Sequence, residues 1–253
     1  MQLLTSPLLA AFAHGFTTRA GGVSPPPWDG LNLGGAVGDE PSRVAENWRR
    51  LEAGTGLRFA RVRQVHGARV IRADAPCDPV DEADVVLSAA IGVAACVSIA
   101  DCVPILLADP ESGSVAAVHA GWRGTLAGAA ARAVEAMRAE FGAPAERLLA
   151  AIGPSIGACC YEVSADVAGP FREAFGPTAV RERPGAAPRV DLWAANNAVL
   201  ARAGVASERT HVLGACTACD RDRFFSHRRD RGRTGRQVAF IAPRARTRAG
   251  GVP

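Results

Sequence analysis

Residues 92–120, GVAACVSIADCVPILLADPESGSVAAVHA, contain three short apolar runs separated by polar or turn-forming residues. The runs are GVAACVSI, ILLAD and SVAAVHA. Continuous apolar runs of about four to eight residues are typical of strands that are buried on both faces. The stretch therefore predicts central strands of a β-sheet, and it places Cys102 and His119 at strand ends.

Amphipathic stretches on either side of these runs predict helices. Four helices are expected. The first starts at Pro41, and the second runs from about Thr125 to Gly142. The third follows the capping residue Ser164, and the fourth follows the capping residue Asp191 and ends at Gly204. Further strands are predicted on both sides of His66-Gly67 (61–74), in LLAAIG (148–153), in HVLGAC (211–216) and in RQVAFIA (236–242). Because strands follow one another without a helix between each pair, the pattern favours an α/β fold with mixed sheets. Residues from about 242 to 253 are predicted to form a frayed tail.

Composition narrows the class of protein. The chain has 253 residues, of which 48% are hydrophobic, enough to bury a substantial core. No stretch approaches the roughly 20 apolar residues of a membrane span, and the first residues lack the basic region of a signal peptide. We therefore expect a cytoplasmic protein. Its seven Cys are expected to be reduced thiols, because their number is odd and Cys159 and Cys160 are adjacent.

All 29 basic residues are Arg, since the sequence contains no Lys. This composition excludes every mechanism that depends on a lysine: a Schiff base, a lysine general base and the lysine of a phosphate-binding loop.

His66, Cys102 and His119 are the candidate catalytic residues, because each stands at a strand end beside a break in the apolar pattern. Two imidazoles and a thiolate suit Zn²⁺, and three protein ligands leave the fourth position for water or substrate. A metal-free alternative uses Cys102 as a nucleophile and a His as its base. Asp101 either orients a ligand His or caps a turn.

The sequence HAGWRGT, residues 119–125, predicts a strand, a glycine turn and the start of a helix. The free N–H groups of such a start, together with the guanidinium of Arg123, would suit a phosphate. A tight turn with a surface Arg123 explains the same residues.

A second cysteine motif lies near the C-terminus, in CTACDRDRFFSHRRDRGRTGRQ (216–237). Cys216 and Cys219 have CxxC spacing, but no second CxxC accompanies them, and the motif alone does not predict a structural zinc site. Acidic residues alternate with the many Arg, which favours a solvated loop with one or two functional Arg over a nucleic-acid surface.

Several separate motifs together resemble the YfiH-like laccase-domain family. They are FTTRAGGVSPPPWDGLNLG (16–34), QVHG (64–67), ADCVPILLAD (100–109), HAGWRG (119–124), GPSIGACCYEV (153–163) and FFSHRRDRGRTGRQ (224–237). The resemblance extends in order from about Phe16 to Ile241. His227 departs from it, because the family usually has Tyr at this position.

The resemblance implies a single α/β domain, residues 1–253, with metal ligands at His66, Cys102 and His119. Implied activities are phosphorolysis of adenosine, inosine and methylthioadenosine and deamination of adenosine. Some members are linked to the editing of peptidoglycan precursors, and the older laccase label implies copper.

The leading interpretation is a monomeric purine nucleoside phosphorylase with a zinc site, which binds a nucleoside and phosphate and neither nucleic acid nor a membrane. Phosphate would be held by Arg19, Arg123 or Arg229, and the nucleoside by residues such as Asn32, Gln64 and Asp101.

Three alternatives remain. A copper-dependent polyphenol oxidase would need more imidazoles than five His supply. A cysteine amidase would use Cys102 as nucleophile and His119 as base. A non-catalytic binding module would leave the three residues without a purpose.

Overall fold

The three apolar runs of residues 92–120 are strands, but they belong to two different sheets. In the computed structural model, which describes residues 1–79 and 81–245, the first run is strand β6 (Val93–Ile99) of a five-stranded sheet. The other two are β7 (Val103–Ala108) and β8 (Val115–Ala120) of a six-stranded sheet. The chain crosses between the sheets at Asp101, whose φ of 89° lies in the left-handed region.

Both large sheets are mixed, as the pattern predicted. The five-stranded sheet has the order β1-β2-β13-β6-β3, with β3 parallel to β6. The six-stranded sheet has the order β12-β9-β7-β8-β5-β4, with parallel pairs at both edges. The remaining strands are β1 (Leu3–Leu4), β2 (His14–Thr17), β3 (Arg58–Ala60), β4 (Val70–Arg72), β5 (Val85–Ser88), β9 (Leu149–Ile152), the small pair β10 (Val180–Arg181) and β11 (Arg189–Val190), β12 (Thr210–Val212) and β13 (Gln237–Ile241).

Alternate side chains of the strands form separate apolar cores. Val97 of β6, Ile241 of β13 and Leu106 of β7 meet in the core between the two large sheets. The opposite face of the six-stranded sheet packs on helices, and the opposite face of the five-stranded sheet packs on the first helix. The helices are α1 (Pro41–Thr55), α2 (Trp122–Leu126), α3 (Ala129–Phe141), α4 (Ala165–Phe175) and α5 (Leu192–Arg202). The chain therefore folds as one α/β domain with layers of helix, sheet, sheet and helix.

The predicted helix between residues 125 and 142 is two helices. Its first part, α2, starts three residues earlier, and Gly128 separates it from α3 with a φ of 73°. Glycine adopts this conformation at little cost, and the helical path is interrupted there. The predicted cap at Asp191 is present, since its side chain accepts a hydrogen bond from the backbone N–H of Ala194 over 3.0 Å.

Two other segments differ from expectation. Residues 61–69 form a long loop that connects β3 and β4, which lie in different sheets. In the predicted tail, Ala242 is buried, and the backbone N–H of Arg244 donates to Gly113 over 3.2 Å. Residues 246–253 of that tail lie outside the described residues. None of the described helices has the length and apolar character needed to cross a bilayer.

Candidate active site

His66, Cys102 and His119 meet at one edge of the two-sheet stack, although 36 and 17 positions separate them in the sequence. Their potential ligand atoms all lie within 4.8 Å of one another. The rings of His66 and His119 are 4.9 Å apart at their centroids and inclined by 76°. Each side chain comes from a different segment: the β3–β4 loop, the sheet crossing before β7, and the end of β8.

A buried carboxylate, Asp84, organises two of the three segments. It precedes β5 and is fully buried. Its Oδ1 lies 2.8 Å from Nδ1 of His119, and its oxygens accept hydrogen bonds from the backbone N–H groups of His66 (2.9 Å) and Gly67 (2.7 Å). These bonds outweigh the effect of burial and lower the pKa of Asp84. Because an ionised carboxylate can only accept, Nδ1 of His119 is the donor, and Nε2 is left for the site.

The backbone at His66 and at Gly121 allows the groups of the site to lie close together. His66 has a φ of 62°, which turns two successive N–H groups towards Asp84. A Cβ atom on Gly121 would lie 2.8 Å from Sγ of Cys102 and 3.4 Å from Cδ2 of His66. Only glycine at position 121 therefore leaves room for the thiol and the imidazole.

The thiol and the buried imidazole form a charged pair in the absence of a metal. Burial opposes ionisation of Cys102, but the charge of His119 and hydrogen bonds from both His outweigh it and lower the pKa of Cys102 to about 6. Burial also disfavours a charged His119, but the Cys102 thiolate and Asp84 outweigh it and raise the pKa of His119 to about 9. At neutral pH Cys102 is thus a thiolate, the form that acts as a metal ligand or a nucleophile.

The donor set fits zinc. Two imidazoles and one thiolate are soft to borderline ligands, and their mutual distances suit a single ion that contacts all three. The Asp84–His119 hydrogen bond is the carboxylate–histidine pair that commonly supports a metal-binding imidazole.

The three residues line a cavity of about 930 Å³. Its walls combine aromatic surface from Trp122 and Tyr161 with polar groups. The polar lining residues include Arg61, Arg63, Gln64, Asp101, His227, Arg228 and Arg236. This volume is large enough for a nucleoside and an anion.

Two of the predicted binding residues line the cavity and also hold its wall together. The amide of Gln64 exchanges two hydrogen bonds with the backbone of Ser98, at 2.8 and 2.7 Å. The carboxylate of Asp101 accepts from Oγ1 of Thr217 and from the backbone N–H of Arg228, both at 2.6 Å. Asp101 therefore ties two loops together, and the imidazole-orienting role considered for it belongs to Asp84.

Three other predicted binding residues lie away from the cavity wall: Arg19, Asn32 and Arg229. Arg19 is paired with Asp29, stacks on Phe225 and lines a separate surface depression. Asn32 is fully buried, where its amide bonds Asp39 and the Gly34 backbone.

Arg229 donates to the carbonyl oxygens of Thr217 and Phe224 and pairs with Asp230. Its polar hydrogens, like those of Arg19, are thus committed to partners within the fold. Arg123, the remaining predicted anion ligand, is exposed, and its guanidinium stacks 4.4 Å from the ring of Trp122.

Four arginines of the described part of the chain line the cavity, and two of them are neutralised. Arg61 pairs with Asp78 and Arg63 with Glu82. Arg236, in contrast, donates to the carbonyl oxygens of Thr234 and Gly235. Burial lowers the pKa of Arg236, against the pull of the Cys102 and Asp101 charges. A half-buried guanidinium that bonds neutral oxygens is a strong attractor for an anion.

Arg228 is the second cavity arginine with neutral partners. It donates to the carbonyl of Glu162 over 2.6 Å and lies 5.0 Å above the ring of Tyr161. The sequence predicts a role for its neighbour Arg229, because the pattern does not show which of two adjacent loop side chains faces inwards. The sequence also gives little sign of Asp84, the last of three acids that precede the apolar run VVLS.

Comparison with known proteins extends these observations. The family model described as multi-copper polyphenol oxidoreductase laccase matches residues 13–244. A purine nucleoside phosphorylase of Deinococcus radiodurans is 46% identical over 245 residues, which cover 95% of this chain and 92% of that protein. A purine nucleoside phosphorylase of Streptomyces coelicolor is 44% identical, over 90% of this chain and 95% of that protein.

Solved structures show the same architecture. The crystal structure of YlmD from Geobacillus stearothermophilus matches with a TM-score of 0.89 and 36% identity, over 95% of this chain and 94% of that one. The hypothetical protein YfiH of Bacillus licheniformis matches with a TM-score of 0.90 and 32% identity, over 96% of both chains.

Proposed function

The chain belongs to the multi-copper polyphenol oxidoreductase laccase family, and from this membership we propose that it is a purine nucleoside phosphorylase. The proposal is supported by relatives of that name with up to 46% identity among those compared. The observation that carries it is the cavity, which joins aromatic walls, a half-buried guanidinium and the His66–Cys102–His119 group. The proposed substrates are adenosine, inosine and methylthioadenosine, each with inorganic phosphate.

Phosphorolysis exchanges one bond for another at C1′ of the ribose. A phosphate oxygen forms a bond to C1′ while the bond from C1′ to the purine nitrogen breaks, and the purine leaves with the electron pair and takes up the proton that the phosphate gives up. The protein must therefore hold an anion beside a sugar and stabilise a leaving base. We assign the anion to Arg236 and Arg228, and we assign stacking of the purine to Tyr161 and Trp122.

We propose zinc as the ion held by His66, Cys102 and His119. When bound, zinc supplies Lewis-acid chemistry, the stabilisation of negative charge that develops during a reaction. Asp84 fixes the orientation of His119 and of the His66 backbone, and Gly121 leaves the space that the thiol needs. Copper is the competing ion; a multinuclear copper centre would need more than the two imidazoles found in this group.

Deamination of adenosine is a second proposed activity of the same site. The group contains three donors rather than four, which is the arrangement of catalytic and not of structural zinc sites. We propose a cytoplasmic location for both activities.

The test is to incubate purified protein with inosine or adenosine, with and without phosphate, and to separate the products. Phosphorolysis gives free base and ribose 1-phosphate only when phosphate is present, whereas deamination gives inosine from adenosine without it. His66→Ala should abolish both activities, and His211→Ala, a half-buried His that contacts Ser6 instead, is the matched control. Oxidation of a phenol by a copper-loaded protein, with no turnover of nucleosides, would instead support the polyphenol oxidase.

A further inference from the structure

Four cysteines converge on the surface beside the cavity. Cys159 and Cys160 follow β9, and Cys216 and Cys219 follow β12. All four Sγ atoms lie within 4.8 Å of one another. The Sγ atom of Cys219 is 3.5 Å from that of Cys159 and 3.3 Å from that of Cys160.

These distances match the coordination shell of one small ion. Zinc bound by four thiolates has Zn–S distances of about 2.3 Å, so the sulfur atoms of the tetrahedron are about 3.8 Å apart. The two separations from Cys219, 3.3 and 3.5 Å, are slightly shorter than this value, and no pair among the four sulfur atoms exceeds 4.8 Å. An iron–sulfur cluster with several irons would hold its thiolates farther apart.

The backbone around the sulfur atoms is built for this approach. The N–H of Gly157 donates to Sγ of Cys216 over 3.3 Å, a contact that supports a thiolate. A Cβ atom on Gly157 would lie 2.9 Å from the ring of Trp193 and 3.2 Å from Sγ of Cys159. The two loops are also joined by backbone hydrogen bonds, from Ser155 to Ala215 and from Thr217 to Ser155.

This convergence changes the interpretation of the CxxC motif. Cys216 and Cys219 lack a second CxxC, as the sequence indicated, but the adjacent pair Cys159-Cys160 supplies the other two sulfur atoms. Adjacent cysteines more than 50 positions away give no recognisable ligand spacing, which is why the motif alone predicted no site.

We propose that Cys159, Cys160, Cys216 and Cys219 bind a second metal ion, a structural Zn²⁺ with four thiolate ligands. Four protein ligands leave no open coordination position, so this ion would hold structure and not substrate. The loops that it joins carry Tyr161, which lines the cavity, and Thr217, which bonds Asp101. The ion would thus position one wall of the cavity without contacting the reactants.

A disulfide is the competing fate of the same thiols. Cys219 contacts two sulfur atoms at distances well above the about 2.05 Å of an S–S bond, and an oxidised pair would use only two of the four cysteines. Metal binding uses all four, and the two states differ in mass and in metal content.

The experiment counts metal in protein purified under reducing conditions without added metal. We expect about two equivalents of zinc in the wild type, about one in Cys159→Ser/Cys219→Ser, and about one in Cys102→Ser/His119→Ala. Cys77→Ser is the matched control and should keep both, because the Cys77 thiol bonds the carbonyl of Arg61 away from either group. One equivalent in the wild type that disappears with Cys102→Ser/His119→Ala would overturn the proposal, whatever the nucleoside assays show.

Cobalt gives a readout that does not depend on the folding of the cysteine double variant. Cys102→Ser/His119→Ala protein loaded with one equivalent of Co²⁺ should show the intense thiolate-to-cobalt absorption and the visible bands of a tetrahedral four-sulfur site. Failure to bind Co²⁺, or an intact mass lower by two hydrogens in the reduced preparation, would instead indicate unliganded or oxidised thiols.

Discussion

Nδ1 of His119 lies 2.8 Å from Oδ1 of Asp84, and both side chains are buried. The same carboxylate accepts the backbone N–H of His66. One residue that touches no substrate therefore sets the positions of two proposed metal ligands.

Asp84→Asn should weaken zinc binding about 10- to 100-fold, the usual cost of losing a partner of a metal-binding His. The N–H groups of His66 and Gly67 bond to different oxygens of Asp84, and the Asn amide has only one accepting oxygen, so its NH₂ group would face one of these N–H donors without a bond. Competition with a chromogenic chelator measures the affinity. Asp109→Asn is the matched control, because Asp109 is also fully buried but pairs with Arg147. Equal zinc affinities in the two variants would refute the role of Asp84.

Alkylation of Cys102 should follow its lowered pKa in metal-free protein. The thiolate reacts, so the rate should stay high as the pH falls from 8 towards the pKa of about 6 and decline below it. His119→Ala removes the charge that favours the thiolate and should move the decline to higher pH. Iodoacetamide labelling read peptide by peptide makes the measurement. Cys96, whose pKa burial raises to about 12, is the internal control and should stay unlabelled. A rate for Cys102 that rises only above pH 8 contradicts the assignment.

Cys102→Ser separates a ligand from a nucleophile. If Cys102 is a ligand, the variant should lose metal from this site and activity together, and excess zinc should restore part of the activity. Metal analysis and activity assays on the same preparation decide. Retained metal with no activity at any zinc concentration, or a covalent adduct on Cys102 during turnover of the wild type, would identify a nucleophile.

Gly121→Ala should impair the site without removing a ligand. The added methyl would meet Sγ of Cys102 at 2.8 Å, so the thiol has to move away from the two His. We expect weaker zinc binding and lower activity, measured by chelator competition and product formation. Gly169→Ala in α4 is the control, since its methyl would meet nothing within 4 Å. Unchanged zinc affinity in Gly121→Ala would show that the site tolerates this displacement.

Arg236→Ala should raise the KM for phosphate about 10- to 100-fold, because a charge-assisted hydrogen bond contributes about 1.5–3 kcal/mol. The KM for the nucleoside should change much less. Arg123→Ala provides the comparison, since Arg123 is exposed and stacks on Trp122. A larger effect at Arg123 would move the anion site to the start of α2, as the sequence first suggested. Steady-state kinetics with phosphate varied at a saturating nucleoside concentration distinguish the two.

The strands around Cys102 and His119 could be predicted because their apolar runs are continuous, and such runs stay buried in almost any arrangement. The sheet to which each strand belongs could not be predicted from the sequence. The crossing at Asp101 depends on a left-handed backbone conformation that Asp adopts without a distinctive local sequence.

The candidate ligands could be identified because chemistry restricts which residue types hold zinc. Their supporting residues could not be predicted, since Asp84 is defined by its hydrogen bonds to His119 and to the backbone of His66, and Arg236 by its hydrogen bonds to neutral carbonyl oxygens. Arg19, Asn32 and Arg229 show the opposite problem. They lie in the motifs where binding residues were expected, but their polar groups form hydrogen bonds and ion pairs with other residues of the protein.

The wide spacing of the proposed ligands links metal binding to folding. Three separate segments bring His66, Cys102 and His119 together, and the unfolded chain contains no local portion of the site. An ion that binds only the native state stabilises it by about 1.4 kcal/mol for each tenfold excess of free ion over its dissociation constant. The melting temperature should therefore rise with the free zinc concentration. At a given high temperature, the available zinc would set the fraction of this protein that stays folded.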